Sequence, residues 1–275
     1  MKVLHEVGFD QFAKMIEDSG RSPATVKAYR SDAAQFVAWA GERNEPVSGK
    51  SATFWLSEFR AELSAQTTRR RAVSVNQYLT WLGRDTSDLE AYKLPVPKRT
   101  TPHPLKGGMD DVRAMMSETE IAEKAALVVL QGFGGLRVSE ARSVSVDDID
   151  FEQGIIPIRG KGDKERVIMF DPKGVAFGVL IERAAEVGEG LLVQLSDRQA
   201  RETIAVLAKR AGVSAHGKAS VSSHDLRATA ATALYFASGC DIRLVQDFLG
   251  HSSVSQTEIY VKSSPERLAA AVTAL

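Results

Sequence analysis

Apolar positions recur at helical spacing along most of the chain. Phe9, Phe12 and Ile16 share one face of a short helix predicted over 9–20, which Gly20 ends. Ser22-Pro23 then supplies an N-cap followed by proline at the first helical position, where its missing N–H is no loss. Val26, Tyr29, Ala33, Phe36 and Ala40 mark the inner face of that second helix, and residues 41–49 read as a loop. A third helix is predicted over 51–63, with Phe54, Trp55, Phe59 and Leu63 inward. A fourth spans 67–82, with Val75, Tyr78, Leu79 and Leu82 inward. Helices joined by such short loops form a small bundle, assigned to residues 1–94.

Residues 95–105 contain Pro95, Pro97, Pro102 and Pro104 and read as a stiff, extended linker carrying Lys98 and Arg99. Over 106–275 the pattern is mixed. Helices are predicted at 110–116 and 121–132, then a glycine-rich break, Gly132-Phe133-Gly134-Gly135, leads into Arg137 and a helix with Ser139, Glu140 and Ala141. Alternating runs at 147–151, 154–159 and 165–170 predict strands, with a turn at Gly160-Lys161-Gly162-Asp163. Further helices follow over 172–187, 196–211, 224–238 and 241–249, with Leu226, Ala230, Ala233 and Leu234 buried in the third of these. A short helix then carries Tyr260, and a last one after Ser264-Pro265 has the apolar stripe Leu268, Ala269, Val272 and Leu275. The fold class is mainly α with a small β-sheet: an N-terminal helical bundle and a C-terminal mixed α+β domain.

Composition is globular, with 44% apolar and 25% charged residues among 275. Cys240 is the single cysteine, so no intrachain disulfide forms. That fits a reducing cytosol, and Cys240 is expected to pack as a small apolar residue near a helix end. No signal peptide or membrane span is read, and the expected location is cytoplasmic. The 35 basic and 35 acidic residues cancel, with a net of +3 over 1–104 and −3 over 105–275. Such a balance predicts weak binding to non-specific nucleic acid and places any phosphate affinity in local basic surfaces.

Six residues then stand out in fixed order: Arg137, Lys161, His224, Arg227, His251 and Tyr260. Two arginines can fork onto the non-bridging oxygens of a phosphodiester. Two histidines add hydrogen bonds near neutral pH. A lysine can protonate a departing 5′-oxygen, and a tyrosine hydroxyl is a competent covalent nucleophile. Electrostatic preorganisation of this kind needs no metal and no cofactor, and no nucleotide-binding glycine-rich loop is present. Separately, Arg69-Arg70-Arg71 opens the fourth helix. Cations oppose the helix dipole there, which suggests a phosphate partner, although a solvated charge run reads the same way.

The order Arg…Lys…His-x-x-Arg…His…Tyr, with Gly-Leu-Arg-x-Ser-Glu and Leu-Gly-His beside it, resembles the tyrosine recombinases, that is, the phage-type integrases and the Xer chromosome-dimer resolvases. Ser-Pro-x-Thr-x-x-x-Tyr and Thr67-Thr68-x-Arg70-Arg71 resemble that family's core-binding domain. Ala228 stands where relatives often have a second histidine. The resemblance implies two domains clamping a duplex, with the linker crossing between them. It makes Tyr260 the nucleophile of a 3′-phosphotyrosyl link and Lys161, preferred over Lys164 because it directly follows a strand, the general acid. Arg137, Arg227, His224 and His251 would hold the phosphate. It also implies double-stranded recombination sites as partner, a four-protomer assembly, and docking of the tail on a neighbouring protomer. An excisionase or a host DNA-bending protein would be a further partner. The missing arm-type domain points to a simple recombinase, read as the integrase of a phage or mobile element. The alternatives are a Xer-type resolvase, a type IB topoisomerase and a catalytically inactive DNA-binding regulator.

Overall fold

The computed structural model describes residues 8–96, 103–159, 165–218 and 220–250. The chain divides into two compact units between Thr100 and Thr101.

The first unit is built from α1 (Phe9–Asp18), α2 (Pro23–Glu42), α3 (Gly49–Glu58), α4 (Ala65–Trp81) and α5 (Ser87–Ala91). Three serines start three of these helices. Ser22, Ser48 and Ser64 each accept a hydrogen bond from the backbone N–H three residues on, at 3.4, 3.2 and 3.1 Å. The cap at Ser48 starts α3 two residues earlier than expected, and the helix ends at Glu58, so Leu63 lies outside it. Trp55 therefore takes the inner face while Phe54 is 50% exposed, which corrects the inward placement of that phenylalanine. The fifth helix, α5, was not expected; Leu89 is its buried anchor. The core is aromatic. Phe12 meets Tyr78 edge-on at 5.1 Å between ring centroids, and Phe36 meets Trp55 at 5.6 Å.

The second unit contains α6 (Met109–Ser117), α7 (Ala122–Gly132), α8 (Val138–Ala141), β1 (Ile155–Arg159), β2 (Glu165–Met169), α9 (Val175–Val187), α10 (Asp197–Arg210), α11 (Ser223–Ala237) and α12 (Ile242–Leu249). β1 and β2 pair antiparallel, with Ile155 opposite Met169 and Arg159 opposite Glu165. Ile156, Ile158 and Ile168 enter the core with α7, which is buried on nearly every side. The strand expected over 147–151 does not form. Val146–Asp148 is a single 3-10 turn instead, and the Asp150 side chain accepts from the N–H groups of Glu152 and Gln153, drawing the backbone out of a ladder. α9 likewise starts at Val175, because Asp171 accepts from the Lys173 N–H and holds a turn. α10 opens with a capping box of Ser196 and Gln199. α11 buries Leu226, Ala228, Ala230, Ala231 and Tyr235, with Ala233 and Leu234 only partly covered. Cys240 is exposed, contrary to expectation, because it follows Gly239 in a left-handed turn with φ 75°. The helices expected around Tyr260 and after Ser264 lie outside the described residues.

Replacing Trp55 by alanine is expected to cost the first unit about 3–5 kcal/mol, the cost of emptying a filled aromatic site. Phe54→Ala, on the exposed face of the same helix, should cost no more than about 0.5 kcal/mol. Urea unfolding followed by circular dichroism measures both, and equal losses would contradict this assignment of faces.

Candidate active site

The glycine-rich turn after α7 brings the first candidate into place. Gly135 adopts φ +63°, and a Cβ there would sit 2.5 Å from Cε1 of Phe248 on α12. Only glycine lets the turn run this close to that helix. Arg137 follows as the N-cap of α8. Its backbone N–H donates to Oε2 of Glu140 at 2.8 Å, and its Nη1 donates to Oε1 at 2.7 Å. Glu140 is 6% exposed. It also receives Arg166 of β2, whose Nη1 and Nη2 donate to Oε1 and Oε2 at 3.2 and 2.9 Å. Arg227 of α11 completes the group, with Nη1 3.5 Å from Glu140 Oε2.

Arg227 is 2% exposed and is held by backbone. Its Nη1 donates to the Gly135 carbonyl at 2.6 Å and its Nη2 to the Leu249 carbonyl at 2.7 Å. Arg166 adds a bond from Nε to the Phe248 carbonyl at 3.0 Å. Three guanidiniums thus surround one carboxylate. Burial alone would push the Glu140 carboxyl up, but hydrogen bonds from Arg166 and Arg137 outweigh it and hold the group at about 2.

His224 lies in the first turn of α11, three residues before Arg227 and so on the same side of the helix. Its ring reaches solvent, yet the protein packed around it disfavours the charged form. Arg227, Lys218 and Arg137 add to that against Asp225, so the pKa is lowered and the imidazole is neutral at pH 7. The turn that presents it is fixed from below. Buried Asp225 accepts from the Ser222 N–H at 2.8 Å, the Ser222 hydroxyl at 2.7 Å and Lys218 Nζ at 2.8 Å.

Of the six candidates, the structure brings Arg137, His224 and Arg227 together. Lys161, His251 and Tyr260 lie outside the described residues, as do Lys98 and Arg99. Sequence reading gave Glu140 no role and passed over Arg166. The latter does carry a signal. In β2 it shares a face with Ile168 and pairs with Ile158, so a cation stands at an inward strand position. In the first unit, two of the three consecutive arginines serve its own core. Arg70 and Arg71 both pair with Asp32, itself buried, and Arg71 lies over the Trp55 ring at 5.1 Å. Arg69 is exposed and makes no ion pair among the described residues. No group of three or more His, Cys, Asp or Glu side chains is placed to hold a metal among the described residues.

The profile of the phage integrase family matches residues 108–267, and that of the phage integrase N-terminal SAM-like domain matches residues 9–85. The chain belongs to the phage integrase family of tyrosine recombinases. It is 34% identical over 270 residues to the tyrosine recombinase XerC of Corynebacterium efficiens, covering 90% of this chain and 84% of that protein. The crystal structure of the XerH site-specific recombinase bound to its difH substrate, a pre-cleavage complex, superposes with a TM-score of 0.69 at 21% identity, over 96% of this chain and 84% of that one. A lambda integrase tetramer bound to a Holliday junction gives 0.71 at 17% identity, over 95% and 79%. At these identities the likeness to the solved structures is one of fold. The bundle of this recombinase is the SAM-like domain, and the cluster around Glu140 lies within the matched catalytic domain.

The depressed Glu140 pKa fixes the sign of an acid effect. An unfolded glutamate titrates near 4.3, so the folded carboxylate contributes about 3 kcal/mol at pH 7, and this is lost as pH falls from about 5 towards 2. The stability difference between the recombinase and its Glu140→Gln variant should therefore shrink by about 2 kcal/mol between pH 6 and pH 3. Chemical denaturation at each pH reads it, and a constant difference would show that Glu140 is not held ionised.

Proposed function

We propose that the chain is a site-specific DNA recombinase that cuts and rejoins duplex DNA through Tyr260. The observation that supports it is the meeting of Arg137 and Arg227 at one buried carboxylate, with His224 one turn before Arg227 on α11, in a chain whose sequence supplies Lys161, His251 and Tyr260 in the family order. The Tyr260 oxygen attacks the scissile phosphorus as a neighbouring group takes its hydroxyl proton. The bond to the 5′-oxygen breaks, and a phosphotyrosyl link to the 3′ end forms. Lys161 gives its proton to the departing 5′-oxygen. Arg137 and Arg227 balance the charge that builds on the non-bridging oxygens, and neutral His224 donates a hydrogen bond, with His251 assisting. The 5′-hydroxyl of a partner duplex then attacks the phosphotyrosine and reverses the step. The phosphoester energy is conserved, so no ATP is required, and the protein's own cations neutralise the phosphate.

The working unit is four protomers on two duplexes, with the segment after Tyr260 docked on a neighbour. Arg69, Lys98 and Arg99 are the basic residues assigned to the DNA backbone, and Arg70 and Arg71 share that task with their ties to Asp32. An excisionase or DNA-bending protein completes the assembly where direction must be imposed. The motifs alone favour a mobile-element integrase. Similarity at 34% to a XerC recombinase favours chromosome-dimer resolution instead, and that role is the one proposed.

Covalent trapping tests the chemistry. The protein is incubated with sheared genomic DNA of its source, denatured in detergent, and the protein-linked fragments are sequenced. Adducts should appear with wild type and vanish with Tyr260→Phe, while Lys161→Ala should slow their formation on an intact duplex by roughly 10²-fold or more. Recovered fragments clustering at one chromosomal site fit resolution, and fragments at the ends of a mobile element fit integration. Footprinted binding without any adduct would establish a regulator instead.

A further inference from the structure

Arg166 belongs to none of the six family positions, yet its guanidinium ties into the site at three points. Its side chain is 10% exposed. Two of its donors lie on Glu140 and a third on the Phe248 carbonyl at the end of α12. Its side chain also runs beneath Gly250, where an added Cβ would stand 3.0 Å from both Cδ and Nη1. One side chain on β2 therefore links α8 to the last turn of α12.

A carboxylate has about four acceptor positions. Glu140 fills four, two with Arg137 and two with Arg166. Arg137 reaches Glu140 through a single guanidinium nitrogen, and its side chain is 45% exposed, so its other donors face outward. Arg227 has no comparable freedom, because two carbonyls and its burial fix it. Without Arg166, two acceptor positions on Glu140 open. Arg137 is the mobile cation beside them, and a bidentate grip on a buried carboxylate is the strongest pairing within its reach.

Resting on the recombinase reading above, we infer that Arg166 is a positioning residue for strand cleavage. It saturates Glu140 and thereby keeps the guanidinium of Arg137 turned outward to the scissile phosphate. Arg166 does not touch the phosphate itself.

The test uses the full-length protein and a duplex carrying the site that wild type captures covalently from sheared genomic DNA. Single-turnover adduct formation is measured against protein concentration for wild type, Tyr260→Phe, Arg166→Gln, Arg166→Lys and the double variant Arg166→Gln/Glu140→Gln. Arg166→Gln should form adduct at least tenfold more slowly at saturation, with the half-saturating concentration within threefold of wild type. Arg166→Lys, which keeps the charge but supplies no fork, should fold as wild type does and recover only part of the rate. The double variant should be at least threefold faster than Arg166→Gln alone, because the charge that draws Arg137 inward is gone. An undiminished saturating rate in Arg166→Gln, beside wild-type adducts that Tyr260→Phe abolishes, would overturn the inference and leave the recombinase standing. A double variant no faster than Arg166→Gln would also overturn it and make Arg166 part of the scaffold only. No adduct from wild type would remove the recombinase reading, and the inference with it.

Discussion

The catalytic domain depends on a carboxylate buried where three guanidiniums meet. Burying an ion pair usually costs more in lost hydration than attraction returns, and a hydrophobic replacement often folds at least as well. Glu140 is no ordinary pair, however. Arg137, Arg166 and Arg227 bring three positive charges against its one, so the group carries a surplus of cation, of which Arg137 is the exposed part. Apolar side chains would pack as densely and hold nothing for a phosphate. The same carboxylate also caps the short helix α8, because Glu140 accepts from the Arg137 N–H at the helix start.

A second constraint is backbone. The last carbonyls of a helix have no partner within it and carry the negative end of its dipole. At the end of α12 these groups, on Phe248 and Leu249, accept from Arg166 and Arg227. The helix end is therefore capped by the same cations that make up the site. In sequence, α12 is followed after one glycine by His251, so the last described turn before that residue is anchored on the arginines. The Gly135 carbonyl does the same from the opposite side, which is why the turn before Arg137 is glycine in a left-handed conformation pressed against Phe248.

Much of this was legible in the sequence. Helical periodicity and serine caps placed most helices, because local signals and burial agreed there. The errors have local physical causes. Ser48 caps a helix that the apolar pattern alone would start later, and the short polar side chains of Asp150 and Asp171 compete with ladder and helix for the backbone. Candidate catalytic residues were found because their chemistry demands particular side chains in order. Strand alternation puts Arg166 at an inward position, but its meeting with Glu140 of α8 is a tertiary contact that spacing does not reveal. Arg70 and Arg71 show the converse. A run of arginines at a helix N-terminus suggested nucleic acid, and the structure shows that part of their reason is Asp32, buried nearly forty residues earlier.

The division of labour between Arg137 and Arg227 follows from where each is held. Arg227 is enclosed, with its donors fixed on carbonyls, so its charge acts at a set place and little can be gained by moving it. Arg137 is anchored through its own backbone N–H and one nitrogen, and the remainder of its fork is open to a partner. A fixed charge beside an adaptable fork suits a reaction in which the phosphate changes geometry while its charge rises. The chain as a whole is electrically neutral, so it has no strong long-range field to draw in DNA. Around Glu140, by contrast, three guanidiniums meet one carboxylate. That makes the attraction short in range and dependent on correct placement, which favours selecting a site over holding DNA at large.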